Sequence, residues 1–462
     1  MYQYTEFDRS FIEERVNHYR EQTTRYLNGQ LSEDEFLQLR LRNGLYLQRL
    51  APMLRVAIPY GTLSSQQLFA LGKVAREYDR GYGHLSTRQN MQFNWPELAE
   101  VPDILADMAK VDLHAIQTSG SCIRNVTTDH FAGAAADETI DPRPYCEIIR
   151  QWSTNHPEFE WLPRKFKIAV TGAAEDRAAI GVHDVGLRVY RDDKGDVQFD
   201  VYAGGGLGRT PVLGALVRSE LPIEHLLTYL EALMRVYNRY GRRDNKYKAR
   251  IKILVRAMGV DGFRAKVDEE WAHSKGGPGT LPEAEITRVE AFFAPPGYSQ
   301  QPEVGDALAE HRLANPKFSQ WLQHNVMEHK APGYAAVTLS TKATGVPPGD
   351  VSDTQIDAVA QWAADYSFSE VRISHEQNFV LPHVPKQHLF ELWQKAKAQN
   401  LATANARLIT DMICCPGGDY CSLANAKSIP VAEALQERFD DYDFQYDLGE
   451  LNLNISGCMN AC

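Results

Sequence analysis

Residues 63–90 read LSSQQLFALGKVAREYDRGYGHLSTRQN, and residues 351–378 read VSDTQIDAVAQWAADYSFSEVRISHEQN. The two stretches align without a gap, and each residue of the second lies 288 positions (351 minus 63) after its counterpart. A match of this length predicts one structural unit that the chain uses twice. The aligned identities include Gln67 with Gln355, Ser86 with Ser374, and Gln89 and Asn90 with Gln377 and Asn378.

Each copy has the pattern of a helix that leads into a short strand. Residues 53–58 and 334–339 form a further strand candidate before each copy. A strand–helix–strand unit used twice predicts an α+β body with pseudo-twofold symmetry and a crevice between its halves. Apolar residues recur at helical spacing in both copies, at Leu68, Leu71 and Val74 and at Ile356, Val359 and Trp362.

The two copies differ in the chemistry of their strands. The first copy carries polar and basic residues where the second has mostly other types, so we expect the first to face an anionic ligand and the second to be structural. The residues of the first copy are His84, Arg88, Gln92 and Asn94, and their counterparts are Arg372, Glu376, Val380 and Pro382.

Composition limits the classes of function. The 462 residues are 44% hydrophobic and 24% charged, as in ordinary globular proteins, and the net charge of −11 argues against a general nucleic-acid binder. The charged N-terminus lacks the apolar core of a signal peptide, and no stretch is apolar enough to cross a membrane. The expected location is therefore the cytoplasm.

The remaining segments predict further elements around the repeat. Residues 1–50 have a helical pattern, and Ser32 with Glu35 fits a capping box at a helix start. Between the copies, strand patterns lie near 187–190 and 197–202, and a long helical pattern covers 223–240. The Gly- and Pro-rich stretches 276–282 and 294–298 predict linkers.

Cysteines are concentrated at the end of the chain. Of seven in total, five lie in the last 49 residues, where a C-x5-C pair and a C-x3-C pair are separated by 36 residues. Four thiolates suit zinc or an iron–sulfur cluster, and the x5 spacing favours iron–sulfur because zinc modules prefer shorter spacings. We prefer Cys415 over Cys414 as the first ligand because it begins the loop C-P-G-G-D-Y-C.

This pattern, with the second pair set in I-S-G-C-M-N-A-C, resembles that of the sirohaem sulfite and nitrite reductase family. The resemblance implies an α+β fold made of two ferredoxin-like halves plus α/β domains that bind sirohaem and a [4Fe–4S] cluster, with an N-terminal helical arm. It implies that Cys415, Cys421, Cys458 and Cys462 hold the cluster, and that Cys462 also bridges to the sirohaem iron.

The resemblance also implies an anion pocket. Lys165 and Lys167 stand two apart on a predicted strand, L-P-R-K-F-K, and therefore share one face. Together with Arg55 and Arg124 they match the two lysines and two arginines that surround the open face of the sirohaem in that family. We expect them to bind the substrate oxyanion and to supply protons.

Further residues are implied as contacts of the sirohaem, whose many carboxylates need cations and N–H donors. His84 stands where an arginine is common in the family, and Asn94 where a histidine is common. The basic run 239–252 either approaches the sirohaem carboxylates or docks an acidic electron donor. The implied contacts are His84, Ser86, Arg88, Gln92 and Asn94 on a strand, and Gly204, Gly205 and Gly206 in a turn.

The implied activity is an assimilatory sulfite reductase that reduces sulfite to sulfide. Lys167 favours sulfite because plant-type nitrite reductases carry asparagine there; a sirohaem-dependent nitrite reductase is the alternative, and a non-enzymatic zinc-containing protein is a second one. No GxGxxG fingerprint is present, so electrons are expected from a partner, either an NADPH-dependent flavoprotein subunit or a ferredoxin.

The resemblance gives a domain plan for nearly the whole chain. Family members continue beyond the last cysteine, which implies that the sequence is a fragment of a longer enzyme. The plan is a helical arm at 1–50, a first ferredoxin-like half at 51–140, a first sirohaem-binding domain at 141–295, a second half at 325–400 and a cluster- and sirohaem-binding domain at 401–462.

Overall fold

A computed structural model describes residues 1–301 and 305–461. The chain divides into two compact units. The insert unit comprises Met1–Gln3, Ile116–Gly133 and Asp137–Pro295; the repeat unit comprises Tyr4–Ala115, Ala134–Ala136 and Pro296–Cys462. Across the described residues, none of the helices combines the length and apolar character that a membrane crossing requires.

Helices and strands are mixed along the chain. The helices are α1 (Glu6–Leu27), α2 (Glu33–Arg42), α3 (Ser65–Tyr78), α4 (Val101–Ala109), α5 (Arg143–Ser153), α6 (Leu226–Tyr240), α7 (Ile251–Met258), α8 (Val260–Ser274), α9 (Glu283–Glu290), α10 (Gly305–Ala314), α11 (Pro316–Asn325), α12 (Asp353–Tyr366), α13 (Leu389–Ala398), α14 (Ile429–Arg438) and α15 (Tyr442–Leu448). The strands are β1 (Leu45–Leu47), β2 (Pro52–Val56), β3 (Thr62–Ser64), β4 (Tyr82–Leu85), β5 (Met91–Phe93), β6 (Thr127–Thr128), β7 (Ile168–Thr171), β8 (Val185–Arg191), β9 (Val197–Ala203), β10 (Ala215–Pro222), β11 (Val326–Glu328), β12 (Tyr334–Leu339), β13 (Asp350–Ser352), β14 (Glu370–Ile373), β15 (Phe379–Pro385), β16 (Ile413–Cys414) and β17 (Asn454–Ile455).

The repeat unit confirms the predicted pseudo-twofold α+β body. Its two five-stranded sheets have the orders β1-β2-β5-β4-β13 and β11-β12-β15-β14-β3. Each half therefore gives one short edge strand to the sheet of the other half. The exchange is reciprocal, because Asp350 pairs with His84 in one sheet and Thr62 pairs with Arg372 in the other. The two pairs are equivalent, because the 288-residue offset relates Thr62 to Asp350 and His84 to Arg372.

Two glycines allow this exchange. Gly61 has φ +76°, and a Cβ there would lie 2.6 Å from the carbonyl oxygen of Ile373. Its counterpart Gly349 has φ +87°, and a Cβ there would lie 3.1 Å from the carbonyl oxygen of Leu85. Positive φ and close backbone approach both require glycine, so the two halves meet through matched glycine turns.

The sequence identities of the repeat have structural reasons. Gln67 and Gln355 close capping boxes with Ser64 and Ser352 at the starts of α3 and α12. In the turns that follow β4 and β14, Ser86 and Ser374 accept hydrogen bonds through Oγ from the backbone N–H of the asparagine four residues later. Gln89 (φ +57°) and Gln377 (φ +61°) both adopt the left-handed conformation that these turns require.

The asparagines of these turns fasten the neighbouring strand. Asn90 Oδ1 accepts from the backbone N–H of Ile58 at 3.0 Å, and Asn378 Oδ1 accepts from that of Thr341 at 3.1 Å. Both carboxamides are buried, and they satisfy backbone groups where β2 and β12 have ended. The same polar contact therefore closes both halves.

The N-terminal segment is helical only in part. The capping box at Ser32 is present, since Glu35 N–H donates to Ser32 Oγ and Ser32 N–H donates to Glu35 Oε2. After α2, however, residues 45–47 form strand β1, which pairs with β2 and joins the first sheet. The apolar residues Leu45 and Leu54 are wholly buried in this pair, which explains why the helical pattern ends there.

The insert unit is built on one mixed sheet in the order β10-β9-β8-β7-β6. Strands β6, β7 and β8 are parallel, whereas β9 is antiparallel to β8 and β10. The N-terminal ends of the parallel strands and the C-terminal end of β9 therefore meet at one edge of the sheet. This edge, called the insert edge below, carries several of the predicted site residues.

Candidate functional site

A row of polar side chains crosses the first sheet of the repeat unit. Asp350 pairs with His84, His84 with Gln92, and Gln92 with Arg55 in the strand register. Residues directly opposite each other in antiparallel strands point to the same face, so these four side chains lie side by side. Three of them, His84, Gln92 and Arg55, are residues that the sequence analysis selected.

Hydrogen bonds join this row. Arg55 Nε donates to Gln92 Oε1 at 2.8 Å, and the Arg55 guanidinium lies 5.5 Å from the centre of the Tyr46 ring. His84 Nδ1 lies 2.7 Å from Asp350 Oδ1. His84 and Gln92 are both buried, so the row is a fixed polar arrangement rather than a solvated surface.

The segment 84–94 is a hairpin and not the single strand that the sequence analysis expected. Strands β4 and β5 flank a tight turn in which Arg88 N–H donates to Ser86 Oγ at 3.4 Å. The turn forms because Ser86 can accept from the backbone two and four residues later. Ser86 and Arg88 therefore lie in a turn, and only His84 and Gln92 lie on strands.

Asn94 follows the end of β5 and is buried. Its side-chain oxygen Oδ1 has no hydrogen-bond partner among the described residues. A buried amide oxygen that the protein leaves unsatisfied is a feature expected beside a bound polar group or an ordered water. Asn94 therefore fits a position that contacts a cofactor.

The same row of the second half is filled differently. Arg372 takes the position of His84, and it is wholly buried beside Glu370, to which its Nε donates at 2.7 Å. Val380 and Thr338 complete the row in place of Gln92 and Arg55. The arginine of this half is thus held by a carboxylate of its own sheet.

Lys165 and Lys167 lie at the insert edge, just before β7. The intervening Phe166 is wholly buried and packs on Tyr237 with ring centres 5.3 Å apart, whereas both lysines are half-exposed. This alternation puts the two lysine side chains on one face. Arg124 lies next to them, because its backbone N–H donates to the Phe166 carbonyl oxygen at 2.7 Å.

The Arg124 guanidinium is directed to its own loop. Its Nη1 donates to the Thr118 carbonyl oxygen at 2.6 Å, and its Nη2 and Nε donate to that of Gly120 at 2.8 and 3.2 Å. Arginine suits this task because its planar fork offers several donors in fixed directions. Arg124 therefore orders the loop 118–124 beside the lysines.

Asp184 organises the insert edge, and the sequence analysis missed it. Its Oδ2 accepts from the Lys167 backbone N–H at 2.9 Å, and its Oδ1 accepts from Arg250 Nε and Nη2 at 2.9 and 2.7 Å. Its carbonyl oxygen accepts from Gly204 N–H at 3.0 Å. One wholly buried carboxylate thus joins the lysine segment, the glycine turn and the basic run.

The glycine turn is closely packed. Gly204 has φ +83°, and a Cβ at Gly205 would lie 2.4 Å from the His183 carbonyl oxygen. Lys252 Nζ donates to the carbonyl oxygens of Leu207 at 2.8 Å and Thr210 at 2.7 Å, and burial lowers the pKa of this lysine. Positive φ at Gly204 and close backbone packing at Gly205 therefore explain why glycines stand in this turn.

The basic run 239–252 is divided by the structure. Arg242 and Arg243 are exposed, and Arg242 pairs with Asp244 at 2.5 Å. Arg250 and Lys252 instead point inward and support the glycine turn. Arg250 and Lys252 therefore support the fold of the insert unit from within. Arg242 and Arg243 lie at its surface.

The two cysteine segments lie side by side in the repeat unit. Strands β16 and β17 pair in parallel, and Gly457 N–H donates to Cys415 Sγ at 3.2 Å. A Cβ at Gly457 would lie 2.8 Å from the Gly417 Cα, so the loops that carry Cys421 and Cys458 are in contact. Cys415, Cys421 and Cys458 are all half-exposed.

This donor set fits an iron–sulfur cluster, because thiolates hold such clusters and N–H···S hydrogen bonds are typical around them. No three ligand-type side chains among the described residues already converge as a metal site. Cys462, the fourth predicted ligand and the predicted bridge, lies outside the described residues.

Cys414 and Cys415 lie in different surroundings. It is buried with Met412 and Ala432 in a small apolar core, and burial raises its pKa to about 12. A thiol in such surroundings stays protonated and behaves as a small apolar residue. Cys415 is half-exposed, and its sulfur faces Ser428 Oγ at 3.5 Å.

Two family models match the chain. The nitrite and sulphite reductase 4Fe-4S domain matches residues 119–275, and the nitrite/sulfite reductase ferredoxin-like half domain matches twice, at 48–111 and 329–399. The second model thus covers both halves of the repeat. Together the matches span more than half of the chain.

Known proteins resemble the chain over most of its length. It is 27% identical over 414 residues to a sulfite reductase (ferredoxin) of Mycobacterium tuberculosis, which covers 89% of this chain and 67% of that protein. It is 27% identical over 438 residues to a ferredoxin–nitrite reductase of Synechococcus elongatus, with coverage of 91% and 76%. The solved structure of Mycobacterium tuberculosis NirA protein superposes with a TM-score of 0.75 at 25% identity, covering 94% of this chain and 76% of that one.

Proposed function

Because the chain belongs to the nitrite and sulfite reductase family, whose cofactors are sirohaem and a [4Fe–4S] cluster, we propose that it reduces sulfite to sulfide with electrons from a ferredoxin. The observation that carries the proposal is the lysine pair at the insert edge, Lys165 and Lys167, which share one face on either side of buried Phe166. The family excludes the alternative of a non-enzymatic zinc protein.

The reaction consumes six electrons and six protons for each sulfite, and it releases three water molecules with one sulfide. Sirohaem supplies the iron at which the sulfur atom is reduced. Lys165 and Lys167 bind the oxyanion by charge and donate protons to the departing oxygens, since a positioned ammonium group is a general acid. Asp184 and Arg124 fix the backbone on which both lysines stand.

In this proposal Cys415, Cys421, Cys458 and Cys462 would hold the cluster, and Cys462 would also hold the sirohaem. The hydrogen bond from Gly457 to Cys415 Sγ supports the first of these assignments, because donors to cluster sulfur stabilise the thiolate form. The cofactor contacts predicted at His84, Ser86, Arg88, Gln92, Asn94, Gly204, Gly205 and Gly206, and the anion contacts predicted at Arg55 and Arg124, stay predictions.

The preference for sulfite rests on charge. Sulfite carries more negative charge than nitrite near neutral pH, so a second cation stabilises bound sulfite more than bound nitrite. Relatives are named both as sulfite reductases and as nitrite reductases, and nitrite reduction to ammonia remains the alternative. Lys167 is the residue that separates the two.

Ferredoxin is the proposed donor because the relatives of both kinds are named as ferredoxin-dependent enzymes. An NADPH-dependent flavoprotein subunit is the alternative donor. The cytoplasmic location expected from the sequence stays a prediction.

The test compares kcat/KM for sulfite and for nitrite, with reduced ferredoxin, in the wild type and in Lys167→Asn. We expect the sulfite value to fall by about tenfold to a hundredfold, the effect of losing one charged hydrogen bond, with a smaller fall for nitrite. Lys194→Asn, in the exposed turn between β8 and β9, is the matched control. An equal loss for both anions in Lys167→Asn would contradict the proposed preference.

A further inference from the structure

Gln377 lies in the turn of the second half, and its side chain reaches the cysteine segment. It is buried, and its Oε1 accepts from the Cys414 backbone N–H at 3.0 Å, while its Nε2 lies 3.4 Å from the Cys414 carbonyl oxygen. Cys414 directly precedes the proposed ligand Cys415. A carboxamide from a distant turn thus holds both backbone groups of this residue.

The backbone of β16 explains why such a contact is needed. Ile413 N–H donates to the Leu453 carbonyl oxygen and Cys415 N–H donates to that of Ile455, both toward β17. The backbone groups of Cys414 lie between these two donors and point away from β17, as alternation in a strand requires. The Gln377 carboxamide takes the place of a neighbouring strand on this side, and it satisfies the buried N–H.

The same carboxamide reaches the first half of the repeat. Gln377 Nε2 donates to the Leu85 carbonyl oxygen at 2.7 Å and lies 3.1 Å from His84 Nε2. Leu85 and His84 belong to β4, the first strand of the hairpin that carries the predicted sirohaem contacts. Gln377 therefore ties this hairpin to the residue before Cys415.

We propose that Gln377 is a positioning residue for the cluster: it sets the place of Cys415 relative to the hairpin of His84. This inference rests on the proposed roles of Cys415 and His84. Gln377 touches neither a proposed ligand sulfur nor substrate in the described structure; it acts through the Cys414 backbone. Removing its carboxamide frees one side of β16, so the cluster should be held less firmly while the fold remains.

The repeat supplies a matched control. Gln89 is the counterpart of Gln377 in the first half, with the same left-handed conformation and the same burial, and it lies over Gly61 as Gln377 lies over Gly349. Gln377→Met and Gln89→Met remove equivalent carboxamides from equivalent turns and keep side chains of similar size. The two variants therefore share the same change of side chain at the same backbone conformation.

The experiment measures iron and acid-labile sulfide per chain over time after a chelator is added to the purified holoprotein. We expect the cluster of Gln377→Met to be lost about tenfold or more faster than in the wild type, the range typical of supports around metal ligands, and that of Gln89→Met at the wild-type rate. The thermal midpoints of the two apoproteins report the structural cost of each substitution. Equal rates of cluster loss in the two variants would overturn the inference.

If Gln377→Met does not fold, Gln377→Glu and Gln89→Glu take their places. The glutamate at 377 can still accept from Cys414 N–H but cannot donate to Leu85, so faster cluster loss than in Gln89→Glu is expected, and equal loss overturns the inference. A wild-type protein without iron and labile sulfide would instead contradict the proposed function, and with it the inference. The iron and labile sulfide content of the wild type thus tests the proposed function, and the comparison of the variants tests the role of Gln377.

Discussion

The backbone N–H of Lys167 donates to Oδ2 of Asp184, and this 2.9 Å contact fixes one end of the lysine pair. The other oxygen of the same carboxylate pairs with Arg250 at 2.7 Å. Because Asp184 is wholly buried, both of its oxygens depend on these partners. The place of Lys167 is thus determined by a residue that lies beneath the surface of the insert unit.

Asp184→Asn should destabilise the insert unit by roughly 2–4 kcal/mol, because it leaves the largely buried Arg250 without its counter-charge and sets an amide N–H against other donors. The urea-unfolding midpoint of the apoprotein measures this. Asp244→Asn removes the partner of exposed Arg242, and its midpoint should equal that of the wild type. Similar midpoints for the two variants would show that Asp184 does not hold the insert edge.

Gly61→Ala should cost about 2–4 kcal/mol of stability in the repeat unit. A Cβ there meets the Ile373 carbonyl oxygen at 2.6 Å, and φ of +76° adds the strain of a left-handed conformation. Gly195 has φ +88° but no atom within 4 Å of such a Cβ, so Gly195→Ala should cost only about 1 kcal/mol. Thermal unfolding compares them, and equal losses would contradict the close approach of the two halves.

His329 should make stability depend on pH. Burial lowers its pKa from 6.5 to about 4, and its Nδ1 accepts from Ala331 N–H, so the folded state keeps a neutral ring that contacts His383 through Nε2 at 3.1 Å. As the pH falls, the unfolded chain takes up this proton before the folded protein does. The stability that the neutral ring contributes is therefore fully present above pH 6.5 and is lost as the pH falls from 6.5 to about 4. The loss amounts to roughly 2–3 kcal/mol.

The measurement is the unfolding midpoint of the wild type and of His329→Gln from about pH 7.5 to about pH 4. This range includes the pKa of His329 in the unfolded chain and its pKa in the folded protein. Other groups titrate in both proteins, so the difference between the two curves isolates His329. That difference should change in the window from 6.5 to 4, with the wild type losing more. Parallel curves would be inconsistent with a neutral His329 in the folded protein.

Much of the repeat could be predicted from the sequence, because its identities lie where local geometry allows few residues. Gln67 and Gln355 close capping boxes, and Ser86 and Ser374 close turns, so each pair marks the same local structure. The strand exchange could not be predicted. Strands β3 and β13 are three residues long, and their partners are set by tertiary packing.

The site was predicted unevenly for similar reasons. The shared face of Lys165 and Lys167 follows from alternation around Phe166, which a sequence displays directly. Asp184 gave no such signal, because a single aspartate before a strand usually lies at the surface. Gln377 was visible only as the match of Gln89, and its contact with Cys414 joins segments far apart in the chain. The single strand expected at 84–94 was wrong because the Ser86 turn divides it.

The central claim is that thiolates of the cysteine segments, beginning with Cys415, hold an iron–sulfur cluster in a sirohaem protein. The adjacent cysteines Cys414 and Cys415 offer the most direct test. Iron and acid-labile sulfide per chain are measured in Cys415→Ser and in Cys414→Ser, and the sirohaem absorbance is recorded on the same samples. We predict that Cys415→Ser loses the cluster and that Cys414→Ser keeps it. A cluster retained in Cys415→Ser, or a wild type that binds zinc without labile sulfide, would contradict the account.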